Sequence, residues 1–161
     1  MSNRIRNIFA AIHHPPTGNR QVLALSRRDA ERIPLLPGVA MLSITPPYST
    51  PTSLPSYPHL LRLSFSDVDF MSSTLSSRSK EKLDTAFTRE QALEVLSFVA
   101  TLPEEIHTVL VHCSGGFSRS AGVSLALNEL FGYSIETERL KDANQSVKKL
   151  LVDVGQRIRN K

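Results

Sequence analysis

The chain has 161 residues, 40% hydrophobic and 21% charged, with a formal net charge of +4. That length suits one domain with a buried core, and no apolar run approaches the roughly 20 residues of a membrane span. The basic excess suits anionic substrates but is too small to argue for nucleic-acid binding, and a single cysteine excludes an internal disulfide and fits a reducing compartment.

Residues 1–20 read as an N-terminal arm or a first strand and turn, and residues 21–161 as a single domain. Within the arm, Ile8-Phe9-Ala10-Ala11-Ile12 follows Arg4 and Arg6 but is shorter than the hydrophobic region of a signal peptide, so a cytoplasmic location is expected. Residues 21–25 form a short apolar strand. Ser26 is placed to cap a short helix that opens Arg27-Arg28-Asp29 and runs to about Ile33, before Pro34, Pro37 and Gly38 break the chain. Residues 39–44 are a second strand with alternating apolar positions. The Pro-, Ser- and Thr-rich residues 45–58 read as an exposed loop at the mouth of a pocket. Residues 59–65 are a third strand, and the polar residues 71–87 a mobile excursion with a helical turn near Glu81.

Thr88-Arg89-Glu90-Gln91 has capping-box spacing, opening a helix to about Leu102 that buries Ala92, Val95, Leu96 and Val99. Thr108-Val109-Leu110-Val111 is apolar at both parities, as expected of a strand covered on both faces. A helix over 120–131 closes at Gly132. Residues 134–143 read as another helix, and 146–158 as a last one with Val147, Leu150, Leu151, Val154 and Ile158 on one face. Strands alternating with helices predict an α/β fold with a central, mostly parallel sheet flanked by helices.

Between the apolar strand and the helix over 120–131 lies His112-Cys113-Ser114-Gly115-Gly116-Phe117-Ser118-Arg119-Ser120. A tight loop in that position turns successive backbone N–H groups inward, and the helix N-terminus adds partial positive charge, which suits a phosphate dianion. The same dipoles favour the thiolate form of a cysteine at the base of the cavity. Arg119 can grip two phosphate oxygens through its planar fork, and a cation at a helix N-terminus is otherwise opposed by the dipole. Nucleophile, anion cradle and charge clamp thus predict a phosphate-binding loop and a cysteine-dependent phosphatase.

The pattern His-Cys-x-x-Gly-x-x-Arg-Ser resembles the signature loop of the protein tyrosine phosphatase superfamily. The element order resembles its small dual-specificity-type members, including bacterial ones. The resemblance implies Cys113 as nucleophile, forming a thiophosphoryl intermediate, and Arg119 as the residue binding phosphate and transition state. Gly116 takes the place of the signature glycine and Gly115 a variable position. Ser114, Gly115, Gly116, Phe117 and Ser118 would line the substrate-binding loop. Ser120 is placed to hydrogen-bond the departing sulfur, and His112 to orient the loop from behind.

A leaving alkoxide needs a proton. In dual-specificity-type enzymes an Asp on a loop upstream supplies it, which implies Asp67, nearer the strand end, with Asp69 as the alternative. The chain departs from the wider superfamily in having no Trp-Pro-Asp triplet and no Trp at all. Glu81 and Asp84 read as surface charges.

His13, His14, His59 and His107 show no metal-ligand spacing, so neither a metal nor another cofactor is expected. Low-molecular-weight tyrosine phosphatases place this loop near the N-terminus with the acid downstream, the reverse of the order here. The absence of Lys in the loop argues for a monophosphorylated substrate: phosphotyrosine, with phosphoserine and phosphothreonine as further candidates. The alternatives are a non-catalytic phosphate-binding adaptor, a phosphatase acting on a non-protein phosphate ester, and a rhodanese-like sulfur transferase, which the Gly and Arg-Ser offsets fit less well. The expected partners are a phosphorylated protein or small phosphoester bound by a monomer, with no nucleic acid and no membrane.

Overall fold

A computed structural model describes residues 2–160. In chain order the elements are α1 (Asn3–His13), β1 (Gln21–Ser26), α2 (Arg27–Arg32), β2 (Val39–Thr45), β3 (Leu60–Ser64), α3 (Ser77–Lys80), α4 (Arg89–Ala100), β4 (Thr108–Cys113), α5 (Arg119–Phe131) and α6 (Gln145–Arg159). Short 3-10 turns add Leu83–Thr85 and Thr137–Leu140. The fold is α/β, with a four-stranded sheet in the order β1-β4-β2-β3 and every pairing parallel.

Side-chain parity assigns the two faces. Val22, Ala40, Leu42, Ile44, Val109 and Val111 pack with apolar residues of α4, α5 and α6. Leu23, Leu25, Met41 and Leu110 face the other way, onto Ile8 and Ile12 of α1 and Ala30 of α2. Every residue of β4 is buried, as its two-sided apolar pattern predicts. Strand β2 is buried continuously from Val39 to Ile44 rather than alternating, because helices cover it on both sides.

Other expectations are corrected. The segment expected as an arm or strand contains helix α1: the Ser2 hydroxyl caps Ile5 N–H, and Ile5, Ile8 and Ile12 recur at helical spacing and are buried. Residues 134–143 hold no long helix. Ser134 is drawn to the sheet edge, its N–H donating to Arg20 O at 2.9 Å and its carbonyl accepting from Val22 N–H at 3.0 Å, so only a 3-10 turn follows. Within residues 71–87 the helical turn expected near Glu81 is present as α3, capped by Ser76 and followed by the 3-10 turn at Leu83–Thr85, with Ser66 N–H donating to Thr85 O. The loop over 45–58 is not wholly exposed, since Thr52 and Tyr57 are buried.

The helices that frame β4 end as the sequence predicts. Thr88 and Gln91 form a reciprocal capping box on α4, and Gly132 closes α5 in the left-handed region. Helix α6 packs tightly on α5: a Cβ on Gly122 would come within 2.6 Å of Asn144 O. That contact brings the start of α6 beside the start of α5, where the candidate site lies.

Candidate active site

All four strands run the same way, so interior strand β4 ends among the carboxyl ends of the strands, where ligands of open α/β sheets bind. The chain leaves β4 at Cys113 and enters α5 at Arg119. The intervening loop is pinned on two sides: Arg27 N–H donates to Ser114 O at 3.2 Å, and Asn144 N–H donates to Ser118 O at 3.0 Å. Gly116 turns it with φ +81°, against the end of β1, where a Cβ would stand 2.6 Å from Leu25 C. Only glycine combines that φ with that approach.

The Cys113 sulfur is buried, and two donors reach it. Gly116 N–H donates to Sγ at 3.3 Å, and the Ser120 hydroxyl lies 3.2 Å away. Helix α5 begins with no side-chain cap and no acidic residue in its first turn, leaving N–H groups and the positive dipole end unopposed.

Arg119 adds a full charge there. It is 5% exposed, with Nη1 donating to Phe65 O at 2.9 Å and Nη2 to Ser114 Oγ at 3.0 Å. Its Nε is buried without an acceptor, and no carboxylate of the described residues lies within 4.0 Å of the guanidinium. A buried cation without a counter-ion is costly, and an anion over the loop offsets that cost.

His112 is fully buried under the loop. Its Nδ1 lies 3.3 Å from Cys113 O and its Nε2 2.6 Å from Ser43 Oγ. Burial first, then the nearby Arg27 and Arg62 charges, pull its pKa down to about 4, against the opposing pull of the Cys113 carbonyl and Glu31. The ring is therefore neutral near pH 7. A carbonyl only accepts, so Nδ1 carries the proton and Nε2 accepts from the Ser43 hydroxyl. This chain of bonds holds the carbonyl that precedes the loop.

The two candidate acids part company. Asp67 Oδ1 accepts from the Ser118 hydroxyl at 2.8 Å and from Asn144 Nδ2 at 3.0 Å, so its carboxylate is tied to the loop. Asp69 instead accepts from the Ser146 hydroxyl on α6. Glu81 and Asp84 are exposed. Among the described residues, no group of three or more His, Cys, Asp or Glu side chains gathers to hold a metal ion, and no helix is long and apolar enough to cross a membrane.

Two residues of the site were not singled out from the sequence. Asn144 has a readable role as the N-cap of α6, where Oδ1 accepts from Val147 N–H, but its Nδ2 also holds Asp67 Oδ1 and Val68 O. Ser43 is a small polar residue inside an apolar strand, a pattern that signals a buried hydrogen bond without naming its partner.

In comparison with known proteins, the chain matches no family model, no curated sequence and no solved structure.

Proposed function

We propose that the protein is a metal-independent cysteine phosphatase hydrolysing phosphomonoesters, with protein phosphotyrosine as the favoured substrate. The observation that carries this reading is the convergence on one sulfur and one unpaired guanidinium: Cys113 Sγ at the floor of the loop, and Arg119 Nε without an acceptor beside it. An oxyanion seated on the loop N–H groups would supply the acceptor that Arg119 Nε lacks and set its phosphorus over the sulfur. No carboxylate competes for the arginine within ion-pair distance among the described residues.

In the first step the Cys113 sulfur attacks phosphorus, an S–P bond forms, and the P–O bond to the leaving group breaks. Protonated Asp67 donates its proton to the departing oxygen. Arg119 exchanges its bond to Ser114 Oγ for two oxygens of the phosphoryl group, meeting the charge that spreads in the transition state. In the second step water attacks phosphorus, the Asp67 carboxylate takes its proton, and the S–P bond breaks with the Ser120 hydroxyl stabilising the leaving thiolate. Inorganic phosphate departs, and both catalytic groups return to their starting states.

A loop offering Ser114, Gly115, Gly116, Phe117 and Ser118, with no Lys, supports a monophosphorylated group at the reacting position. The nucleophile is the chain's one cysteine, with no second thiol to trap an oxidised sulfur, which favours work in a reducing compartment such as the cytoplasm. Turnover of p-nitrophenyl phosphate in excess EDTA tests the reading. Wild type is expected to turn over and Cys113→Ser to lose turnover while still binding the oxyanion vanadate. Phosphate-analogue binding without turnover by wild type would leave a binding module instead.

A further inference from the structure

Helices α4, α5 and α6 cover one face of the sheet, with α6 packed on both of the others. Toward their C-terminal ends the outer surface of this layer keeps a groove of about 400 Å³. Leu93, Leu96 and Ala100 of α4 line one side of it, Gly155 and Ile158 of α6 the other, and Phe131 at the end of α5 completes the lining. The groove persists because Ser97, Ala100 and Gly155 carry too little side chain to fill it. At Gly155 nothing larger fits, since a Cβ would come 2.7 Å from Leu130 Cδ1. The apolar rim is open to solvent: Leu93 is 37% exposed, Phe131 39% and Ile158 49%. Such residues scattered singly need no explanation, but three around one groove make a contiguous patch of the kind that marks an interaction site.

The charges around the patch identify its occupant. A neighbouring depression shares Leu93 and Ser97 with the groove and carries Glu90 and Glu94, so α4 borders the apolar strip with acid. Arg159 of α6 borders it with base. Its guanidinium carbon lies 5.3 Å from the Phe131 ring centroid, and it donates to the Leu130 carbonyl. Among the described residues, neither glutamate nor Arg159 takes part in a salt bridge. An apolar strip with acid on one border and base on the other is complementary to itself. Turning a second copy by 180° about an axis through the strip sets acid over base twice. A partner of one charge sign meets only one border.

We propose that this face of α4, α5 and α6 is a two-fold interface between two copies of the chain, in which Ile158 and Phe131 of each copy enter the groove of the other and Glu94 faces the partner's Arg159. The inference goes beyond the phosphatase reading and does not depend on it, and it replaces the monomer expected from the sequence. The reacting loop stands at the N-terminus of α5 and Phe131 at its C-terminus, 13 residues and so about 20 Å along the helix. Pairing through the groove therefore leaves the candidate sites of both copies open to substrate.

Sedimentation velocity of the full chain over about 1–100 μM tests this. Wild type is expected to pass from monomer to dimer across that range. Ile158→Asp sets a charge in the apolar centre and should raise the dissociation constant about a hundredfold. The residue is half exposed, so the circular dichroism of the variant should match that of wild type, which separates lost association from lost folding. Glu94→Arg and Arg159→Glu each oppose like charges twice, so either alone should weaken the dimer about tenfold. An equimolar mixture of those two variants should recover it as a mixed dimer, because acid again meets base at both borders. A wild type that stays monomeric at about 100 μM overturns the inference, including one that takes up a fatty acid in the groove instead. So does a dimer indifferent to Ile158→Asp, or a mixture of the reversed variants that associates no better than either alone.

Discussion

Replacing the loop glycines one at a time separates backbone strain from steric exclusion. Gly116 and Gly132 both have positive φ, +81° and +72°, but a Cβ on Gly132 would meet nothing within 4 Å. Gly132→Ala therefore carries only the left-handed cost, about 1–2 kcal/mol. At Gly116 the Cβ would come 2.6, 2.7 and 2.9 Å from Leu25 C, Ser26 N and Leu25 O. These are backbone atoms of β1 that cannot swing aside as a side chain would. Relieving the overlap costs a further 1–3 kcal/mol or so, for a total of about 2–5 kcal/mol. Gly115→Ala is the control: its nearest contact is the Phe117 ring at 3.8 Å, without a positive φ, so stability should stay within about 1 kcal/mol of wild type. Urea unfolding of the three variants gives the ranking directly. Gly116→Ala protein that remains folded should also lose turnover, because any shift of residue 116 moves the N–H that donates to Cys113 Sγ. The reasoning is falsified if Gly116→Ala costs no more than Gly132→Ala, since the close approach to β1 would then be absent.

Other expectations follow from single contacts. Asp67→Asn retains an Oδ1 acceptor for Ser118 and Asn144 but cannot donate the proton, so kcat should fall by about 10²–10⁴. The loss should be larger for phenyl phosphate than for p-nitrophenyl phosphate, whose leaving group needs less help; a loss equal for both esters, or one seen instead in Asp69→Asn, would reassign the acid. His112 has a folded-state pKa of about 4 against about 6.5 unfolded, so the unfolded chain binds the extra proton between those values. Its contribution is thus full above about pH 6.5 and is lost as pH falls toward 4, by on the order of 3 kcal/mol. Urea unfolding of wild type and His112→Gln at pH 7 and 4.5 checks this: wild type should lose more stability on acidification, and parallel losses would mean that the ring is not buried neutral. Ser43→Ala should leave the buried His112 Nε2 without its hydroxyl donor and free the ring's tautomer, lowering kcat on p-nitrophenyl phosphate, and an unchanged kcat would remove Ser43 from the support of the loop.

Local sequence determined the pieces whose hydrogen bonds close within a few residues. The Thr88–Gln91 capping box, the Ser26 cap and the β4–loop–α5 unit all rest on contacts between near neighbours. Local pattern is ambiguous where it has two solutions. The contiguous apolar run at 8–12 suits a strand or one face of a helix, and burial of Ile8 and Ile12 against the sheet decided for α1. The helical pattern over 134–143 lost to the pull of the sheet edge on Ser134. Tertiary structure alone decided the finer chemistry: Asp67 meets Ser118 across 51 residues and Asn144 across 77, Arg4 engages Glu136 across 132, and Arg139 finds Phe117 from another element. Residue spacing encodes periodicity and caps because those bonds are made inside one element. Which carboxylate turns toward the loop, and which arginine is left without a partner, depends on how separate elements pack, and that is set only once the core has closed.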